Sequence, residues 1–160
     1  MKTKCASCRG FGYTKGGPAG PWEKLDCPDC VGGEVDPDRD HVHTKDDPRV
    51  FVFGSNLRGI HGAGAARYAR NELGAQLGVG IGRTGRCYAL PTCEVPGVPV
   101  SLESLSEFAG IFLDHARRFP GDRFFLSKVG CGIAGFTEEV VSLLFVGAPE
   151  NVDLPPSWRP

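Results

Sequence analysis

The chain lacks a long hydrophobic run, an export-type start and a strong charge of either sign. No apolar stretch approaches the roughly 18 residues that a membrane-spanning helix needs, so we expect no membrane partner. Residues 1–5 lead into polar, glycine-rich sequence rather than the apolar core of a secretory signal, so we expect a cytoplasmic protein. The net charge of −1 over 160 residues argues against nucleic-acid binding, because that binding rests on many lysine and arginine contacts to phosphates.

Cysteine is abundant by comparison, with seven residues. Four of them form two Cys-x-x-Cys pairs, Cys5 with Cys8 and Cys27 with Cys30. This spacing is typical of a structural zinc site, since each tight turn supplies two thiolates to one tetrahedral ion. Two disulfides would need an oxidising compartment, and a redox-active pair would need a βαβ context that the flanking sequence lacks. We therefore predict structural zinc bound by these four cysteines.

The first pair, followed by Gly10 and Gly12, resembles the Cys-x-x-Cys-x-Gly-x-Gly repeats of the DnaJ-type cysteine-rich domain. The second pair departs from this pattern, because Glu34 stands where the second glycine is expected. The resemblance implies a small zinc knuckle over residues 1–34 that helps to contact a protein partner. No J-domain sequence follows, so it implies no co-chaperone activity. Residues 35–49 are charged and interrupted by proline, which predicts a linker.

Residues 50–160 alternate short β-prone runs with amphipathic helical stretches, which predicts an α/β domain. One long stretch repeats apolar residues at three- and four-residue steps, as a helix with one buried face does. The predicted strands are 50–53, 87–90 (ended by Pro91) and 123–129, and the predicted helices are 65–73, 101–119 and 137–145.

A strand followed by a glycine-rich loop and a helix occurs twice, with loops at residues 54–64 and 130–136. Ligands in α/β sheets bind beyond the carboxyl ends of the strands, and helix N-termini attract phosphate. The two loops are therefore predicted to hold one diphosphate between them. Neither loop has the Gly-x-Gly-x-x-Gly spacing or the closing lysine of the common phosphate-binding motifs, which disfavours a nicotinamide dehydrogenase.

The segments VFGSN…HGAGAA (residues 52–66) and GCGIAGF (residues 130–136) together resemble the macrodomain family, in particular its short macro-like members in phages and bacteria. The resemblance covers roughly residues 50–146. It implies a compact three-layer α/β fold with helices on both faces of the sheet. It also implies binding of ADP-ribose or a related NAD-derived nucleotide, and some members of the family hydrolyse ADP-ribosyl linkages.

The resemblance also implies roles for individual residues. Asn56 would lie beside the distal ribose, residues 61–64 along that ribose and the diphosphate, and Phe136 near the distal ribose. In a catalytic member, Asn56 would position water or ribose and His61 would accept a proton. Hydrolytic members often carry an acid where this chain has Ala65 and Ala66. The ligand-binding residues implied are Gly54, Ser55, Asn56, His61, Gly62, Ala63, Gly64, Gly130, Cys131, Gly132, Ile133, Ala134, Gly135 and Phe136.

Ordinary structural roles compete with these assignments. Asn56 could cap the turn after its strand, and His61 could bond the backbone of its own loop. Cys131 could have a lowered pKa near a helix start, or it could be a small residue packed under the loop. At the level of the whole protein, the alternative function is a non-enzymatic adaptor that contacts a partner through the zinc knuckle, with the α/β domain as scaffold.

Overall fold

The computed structural model describes Asp38 and residues 40–160. The chain divides into two units between Val42 and His43, and every described strand and helix lies in the second, His43–Pro160. The predicted zinc knuckle, residues 1–34, lies outside the described residues. The strands are β1 (Val50–Asn56), β2 (Gly82–Thr84), β3 (Cys87–Val95), β4 (Val98–Pro99), β5 (Phe124–Leu126) and β6 (Val152–Asp153). The helices are α1 (Gly64–Leu73), α2 (Leu102–Arg118), α3 (Glu138–Leu143) and a final 3-10 turn (Pro156–Trp158).

The strands form one mixed six-stranded sheet in the order β2-β3-β1-β5-β6, with β4 paired to β3. The four neighbours β3, β1, β5 and β6 run parallel, whereas β2 and β4 are antiparallel to β3. The predicted α/β class is thus confirmed. The carboxyl ends of β1 and β5 lie side by side at one edge, so the loops that follow them start next to each other.

Helices cover both faces of the sheet because β1 alternates between two apolar clusters. Val50 and Val52 belong to the cluster that α2 and α3 complete, whereas Phe51 and Phe53 belong to the one that α1 completes. Side chains of successive strand residues point to opposite faces, so an uninterrupted apolar run is what a strand buried on both sides requires. None of the helices in the described part of the chain is long and apolar enough to cross a membrane.

The predicted helices are present, with ends set by local chemistry. Helix α2 starts after Ser101, whose Oγ accepts a hydrogen bond from the amide of Ser104 at 3.1 Å. Helix α1 ends at Gly74, which adopts a left-handed conformation. Helix α3 is shorter than predicted and stops at Leu143.

The prediction that Pro91 ends strand β3 is wrong, because β3 continues through Pro91 to Val95. Pro91 pairs with Ser55 of β1 in parallel register. On the other side of β3, β2 pairs only as far as Ala89, and the pairing with β4 begins at Cys93, so Pro91 falls between these two partners. A missing N–H donor is tolerated at such a position, because no neighbouring strand needs it.

Part of the predicted linker packs against the α/β unit. The His43 ring lies 4.9 Å from the ring of Phe51 and 5.3 Å from that of Phe125. The Arg49 guanidinium lies 4.7 Å from the centre of the Phe125 ring and forms ion pairs with Asp47 and with Asp153, the latter at 3.1 Å. The folded unit therefore includes residues 43–49, ahead of the predicted start at residue 50.

We expect Arg49→Ala to lower the free energy of unfolding by about 1–3 kcal/mol at pH 7, since it removes a cation–π contact and leaves the Asp47 carboxylate without its partner. Asp153 keeps its ion pair with Arg123. Hydrogen bonding to Arg49 lowers the pKa of Asp47 to about 2. The unfolded chain therefore binds more protons than the folded one between about pH 4 and pH 2, so this stabilisation disappears as the pH falls through that range. Urea denaturation at several pH values measures both effects.

Arg117→Ala is the matched control, because Arg117 pairs with Asp114 at 3.0 Å on an exposed helix surface. Its loss should cost less than about 1 kcal/mol. Equal losses for the two variants would show that residues 43–49 contribute nothing particular to the folded unit.

Candidate functional site

The first glycine-rich loop leaves β1 in a conformation that Asn56 holds. The Asn56 side chain is buried, its Nδ2 donates to the carbonyl oxygen of Ile60 at 2.7 Å, and its Oδ1 accepts from the amide of Ile60 at 3.0 Å. Ser55 fixes the same turn from the other side by donating to the carbonyl oxygen of Gly80. Asn56 therefore caps the turn, and it also lines the cavity described below.

The second loop starts from Ser127, directly after β5. The Ser127 hydroxyl and amide both donate to the carbonyl oxygen of Val52 in β1, at 2.6 and 3.2 Å. The loop is closed where the amide of Phe136 donates to the carbonyl oxygen of Gly130 at 2.9 Å. Gly130 has φ +78°, a left-handed conformation that favours glycine. The loop is thus tied to β1 at its beginning and to itself at its end.

The two loops meet at Gly54. A Cβ on Gly54 would lie 3.3 Å from Oγ1 of Thr92 in β3 and 3.6 Å from the amide nitrogen of Gly130. The absence of a side chain there lets three neighbouring parts of the chain approach each other. Both loops border one cavity of about 320 Å³ above this point.

Several backbone N–H groups around the cavity have no acceptor in the described part of the chain. They include the amides of Gly132, Ile133 and Ala134 in the second loop. The first-turn amides of α1 also lack intrahelical acceptors, and Ala63 at the N-cap offers no side-chain cap. A cavity bordered by unpaired N–H groups and a helix N-terminus favours an anion.

Most of the predicted ligand-binding residues line this cavity. They are residues 54–56, 62–64, Gly130 and residues 132–134. The predicted residues that do not line it are His61, Cys131, Gly135 and Phe136. Phe136 packs against the core cluster, with its Cδ2 3.3 Å from a Cβ placed on Gly130, so it supports the loop from below.

His61 is fully buried beneath the first loop. Its Nε2 lies 3.1 Å from the carbonyl oxygen of Gln76, and its ring meets Phe53 edge to face at 5.2 Å. Burial lowers the pKa of His61, because the charged imidazolium is disfavoured away from water. The structure therefore places His61 with the backbone and the core, away from the cavity where it was expected to accept a proton.

Cys131 is half-buried and packs against the core cluster. Burial raises its pKa to about 11, with the nearby Glu138 carboxylate adding to the shift. The thiol is therefore protonated near neutral pH. Of the two interpretations of Cys131, the geometry agrees with the small residue packed under the loop.

One wall of the cavity was not predicted from the sequence, because β3 was expected to end before Pro91. Thr92, Cys93, Pro96 and Gly97 line the cavity from β3 and from its turn into β4. Pro-Gly between Val95 and Val98 is a standard turn signal that could have revealed this hairpin. Ser127, Lys128 and Val129, directly before the second loop, also line the cavity and were not predicted. The same holds for Ile60, Ala65 and Ala66.

Comparisons with known proteins add no assignment to this geometry. No protein-family model, no curated protein and no solved structure matches the chain. Within residues 40–160, no three His, Cys, Asp or Glu side chains are grouped so that they could hold a metal ion. Cys5, Cys8, Cys27 and Cys30 lie outside the described residues.

We expect Asn56→Ala to lower the free energy of unfolding by about 1–2 kcal/mol, since it removes the two hydrogen bonds that the buried Asn56 side chain makes to the Ile60 backbone. Hydrogen exchange at the Ile60 amide should become markedly faster, because Asn56 is its acceptor. NMR exchange and urea denaturation measure the two effects. Asn71→Ala, on the exposed side of α1, is the matched control and should change neither. An unchanged exchange rate at Ile60 would contradict the capping role of Asn56.

Proposed function

We propose that the cavity binds ADP-ribose or a related NAD-derived nucleotide, with the diphosphate held by the two glycine-rich loops. The observation that carries this proposal is that unpaired N–H groups of both loops border a single cavity. Oriented backbone amides suit phosphate oxygens because they offer several donors at no cost in side-chain ordering. No carboxylate from the described residues lines the cavity, so no fixed negative charge opposes the ligand.

We further propose that the domain is of the macrodomain type. Supporting this, parallel strands lie at the centre of the sheet, helices cover both faces, and each glycine-rich loop follows one of two paired parallel strands. These features agree with the arrangement that the VFGSN and GCGIAGF segments imply. The cavity volume of about 320 Å³ lies at the lower end of small-molecule sites. It suits a diphosphate with a flanking ribose, the rest of the nucleotide extending outward.

The geometry supports binding better than hydrolysis. Asn56, one of the two residues expected to take part in hydrolysis, lines the cavity, but both of its polar side-chain atoms already bond Ile60. His61, the expected proton acceptor, is buried away from the cavity. A general base must come within hydrogen-bond reach of the proton that it removes. We therefore propose binding as the activity, with cleavage of an ADP-ribosyl linkage as the reaction to be assayed beside it.

Gly132→Glu tests the position of the diphosphate. A Cβ on Gly132 meets no atom within 4 Å, so the backbone accepts a side chain there. The added carboxylate would stand among the N–H groups that we assign to the phosphates. We expect a loss of ADP-ribose affinity of about a hundredfold or more in isothermal titration, from charge repulsion inside a partly dry site.

Gly132→Ala is the control for this substitution, because it adds the Cβ without the charge. It should keep the wild-type affinity, and both variants should keep the wild-type melting temperature. Retained affinity in Gly132→Glu would place the ligand away from the second loop. A wild-type protein that gives no binding heat at millimolar ADP-ribose would overturn the proposed function as a whole.

Residues 1–34 carry a second, independent proposal, structural zinc bound by Cys5, Cys8, Cys27 and Cys30. It is supported by the pair spacing, which suits a four-thiolate tetrahedron. We expect one zinc ion per chain by elemental analysis and its loss in Cys8→Ser. Chelation should alter the fluorescence of Trp22 and leave ADP-ribose affinity unchanged. A full-length protein that purifies without metal in reducing buffer would contradict this proposal.

A further inference from the structure

One charged side chain belongs to the described residues that line the cavity, that of Lys128. It follows Ser127, the residue that ties the second loop to β1. The Lys128 Nζ lies 2.6 Å from Oε1 of Glu138, in the first turn of α3. Glu138 itself does not line the cavity. The ion pair thus joins a residue of the cavity wall to a residue outside it.

We infer that Lys128 determines the preference of the cavity for phosphorylated ligands, by exchanging its ion pair with Glu138 for one with a ligand phosphate. This inference rests on the proposed function and adds a side chain to it that neither glycine-rich motif contains. In the absence of ligand, Lys128 pairs with Glu138. When a phosphate occupies the cavity, the ammonium group turns to it and Glu138 becomes solvated.

The ion pair is weak enough for this exchange. The Lys128 and Glu138 side chains are 36% and 46% exposed, so water screens the pair and solvates either group when the pair opens. Lysine has a flexible four-carbon stem and three rotatable donors, so its ammonium group can be redirected without moving the backbone. Ser127 and the core residue Val141 hold the two backbones in place on either side of the pair.

The exchange adds to the preference for anions that the unpaired amides and the N-terminus of α1 already give. N–H groups bind any acceptor oxygen, including a hydroxyl or a carbonyl, whereas an ammonium group favours groups with a formal negative charge. Glu138 competes with the ligand for the same cation. A diphosphate, with more than one charge, displaces the exposed Glu138 carboxylate more readily than a neutral nucleoside does.

Isothermal titration of the full chain with ADP-ribose and with inorganic pyrophosphate tests this inference. Lys128→Met should weaken both affinities about tenfold or more, because a charge-assisted hydrogen bond is lost. The dependence of the remaining affinity on salt should also become weaker, since one screened charge interaction has gone. Glu138→Gln should strengthen both affinities by about threefold, as expected when a weak exposed competitor is removed.

Two controls separate the ion pair from the general charge of the protein. Glu139→Gln makes the same change in net charge one residue away, on an exposed side chain that does not pair with Lys128. Arg58→Met removes an exposed cation from the first loop without touching the cavity. Both variants should bind like the wild type. In the Lys128→Met background, Glu138→Gln should no longer strengthen binding, because its effect acts through the lysine.

The outcomes distinguish this inference from the proposed function. Wild-type binding that is unchanged in Lys128→Met overturns the role of the lysine and leaves the amide site intact. An equal gain from Glu138→Gln and Glu139→Gln overturns the exchange, since it would reflect net charge alone. A wild-type chain that binds neither ADP-ribose nor pyrophosphate overturns the inference together with the proposed function. A folded-state control, the melting temperature, should be the same for all variants.

Discussion

The parallel pairing of β1 with β5 is the constraint on which the rest of the site depends. It sets the ends of the two strands side by side, so that the loops after them begin at the same edge of the sheet. Ser127 reinforces the pairing by donating two hydrogen bonds to Val52. Since side-chain-free Gly54 lies between Thr92 and Gly130, the loops can then close on each other. Loops that are distant in sequence thus share a cavity because their strands are neighbours.

The core is arranged so that this edge of the sheet remains open. Phe53 and Val52 bury their side chains on opposite faces, under α1 and under the α2–α3 layer, and both are fully buried. The next residues, Gly54 to Asn56, direct their hydrogen bonding to the loop and to β3 rather than to a further apolar layer. The apolar core contacts of β1 therefore end at Phe53, and the residues from Gly54 onward form hydrogen bonds instead. The sharp change explains how one short strand both anchors the fold and supplies the site.

Most of the fold was predictable because the signals for it are local. The alternation in β1, the apolar face of α2 and the glycine that ends α1 each depend on residues within a few positions of one another. The failure at Pro91 has a different cause. Whether proline ends a strand depends on which neighbours need its N–H, and the gap between β2 and β4 is a property of the assembled sheet. Because of that error, the prediction did not include the cavity wall formed by Thr92, Cys93 and the Pro96–Gly97 turn.

The candidate site shows the same division between local and long-range information. The glycine-rich loops are visible in the sequence, and residues 54–56, 62–64, Gly130 and 132–134 do line the cavity. His61 was also predicted to bind the ligand, because in the sequence it lies between residues 54–56 and residues 62–64. Its side chain instead contacts Phe53 and Gln76. Direction of a side chain within a loop is decided by what the rest of the chain packs beneath it. In helices and strands the repeat of the backbone gives the direction of each side chain, but loops have no such repeat.

The proposed recognition by backbone amides would also explain why few charged side chains of the described residues border the cavity. Amide donors are held by the strands and by the Gly130–Phe136 hydrogen bond, so they need no long side chains to reach a ligand. Fixed amide donors favour a phosphate oxygen but also donate to neutral oxygens, so they discriminate only in part. On this proposal, a movable cation would sharpen the distinction between charged and neutral ligands. Lys128, which lines the cavity and pairs with Glu138, is the residue to which we assign this effect.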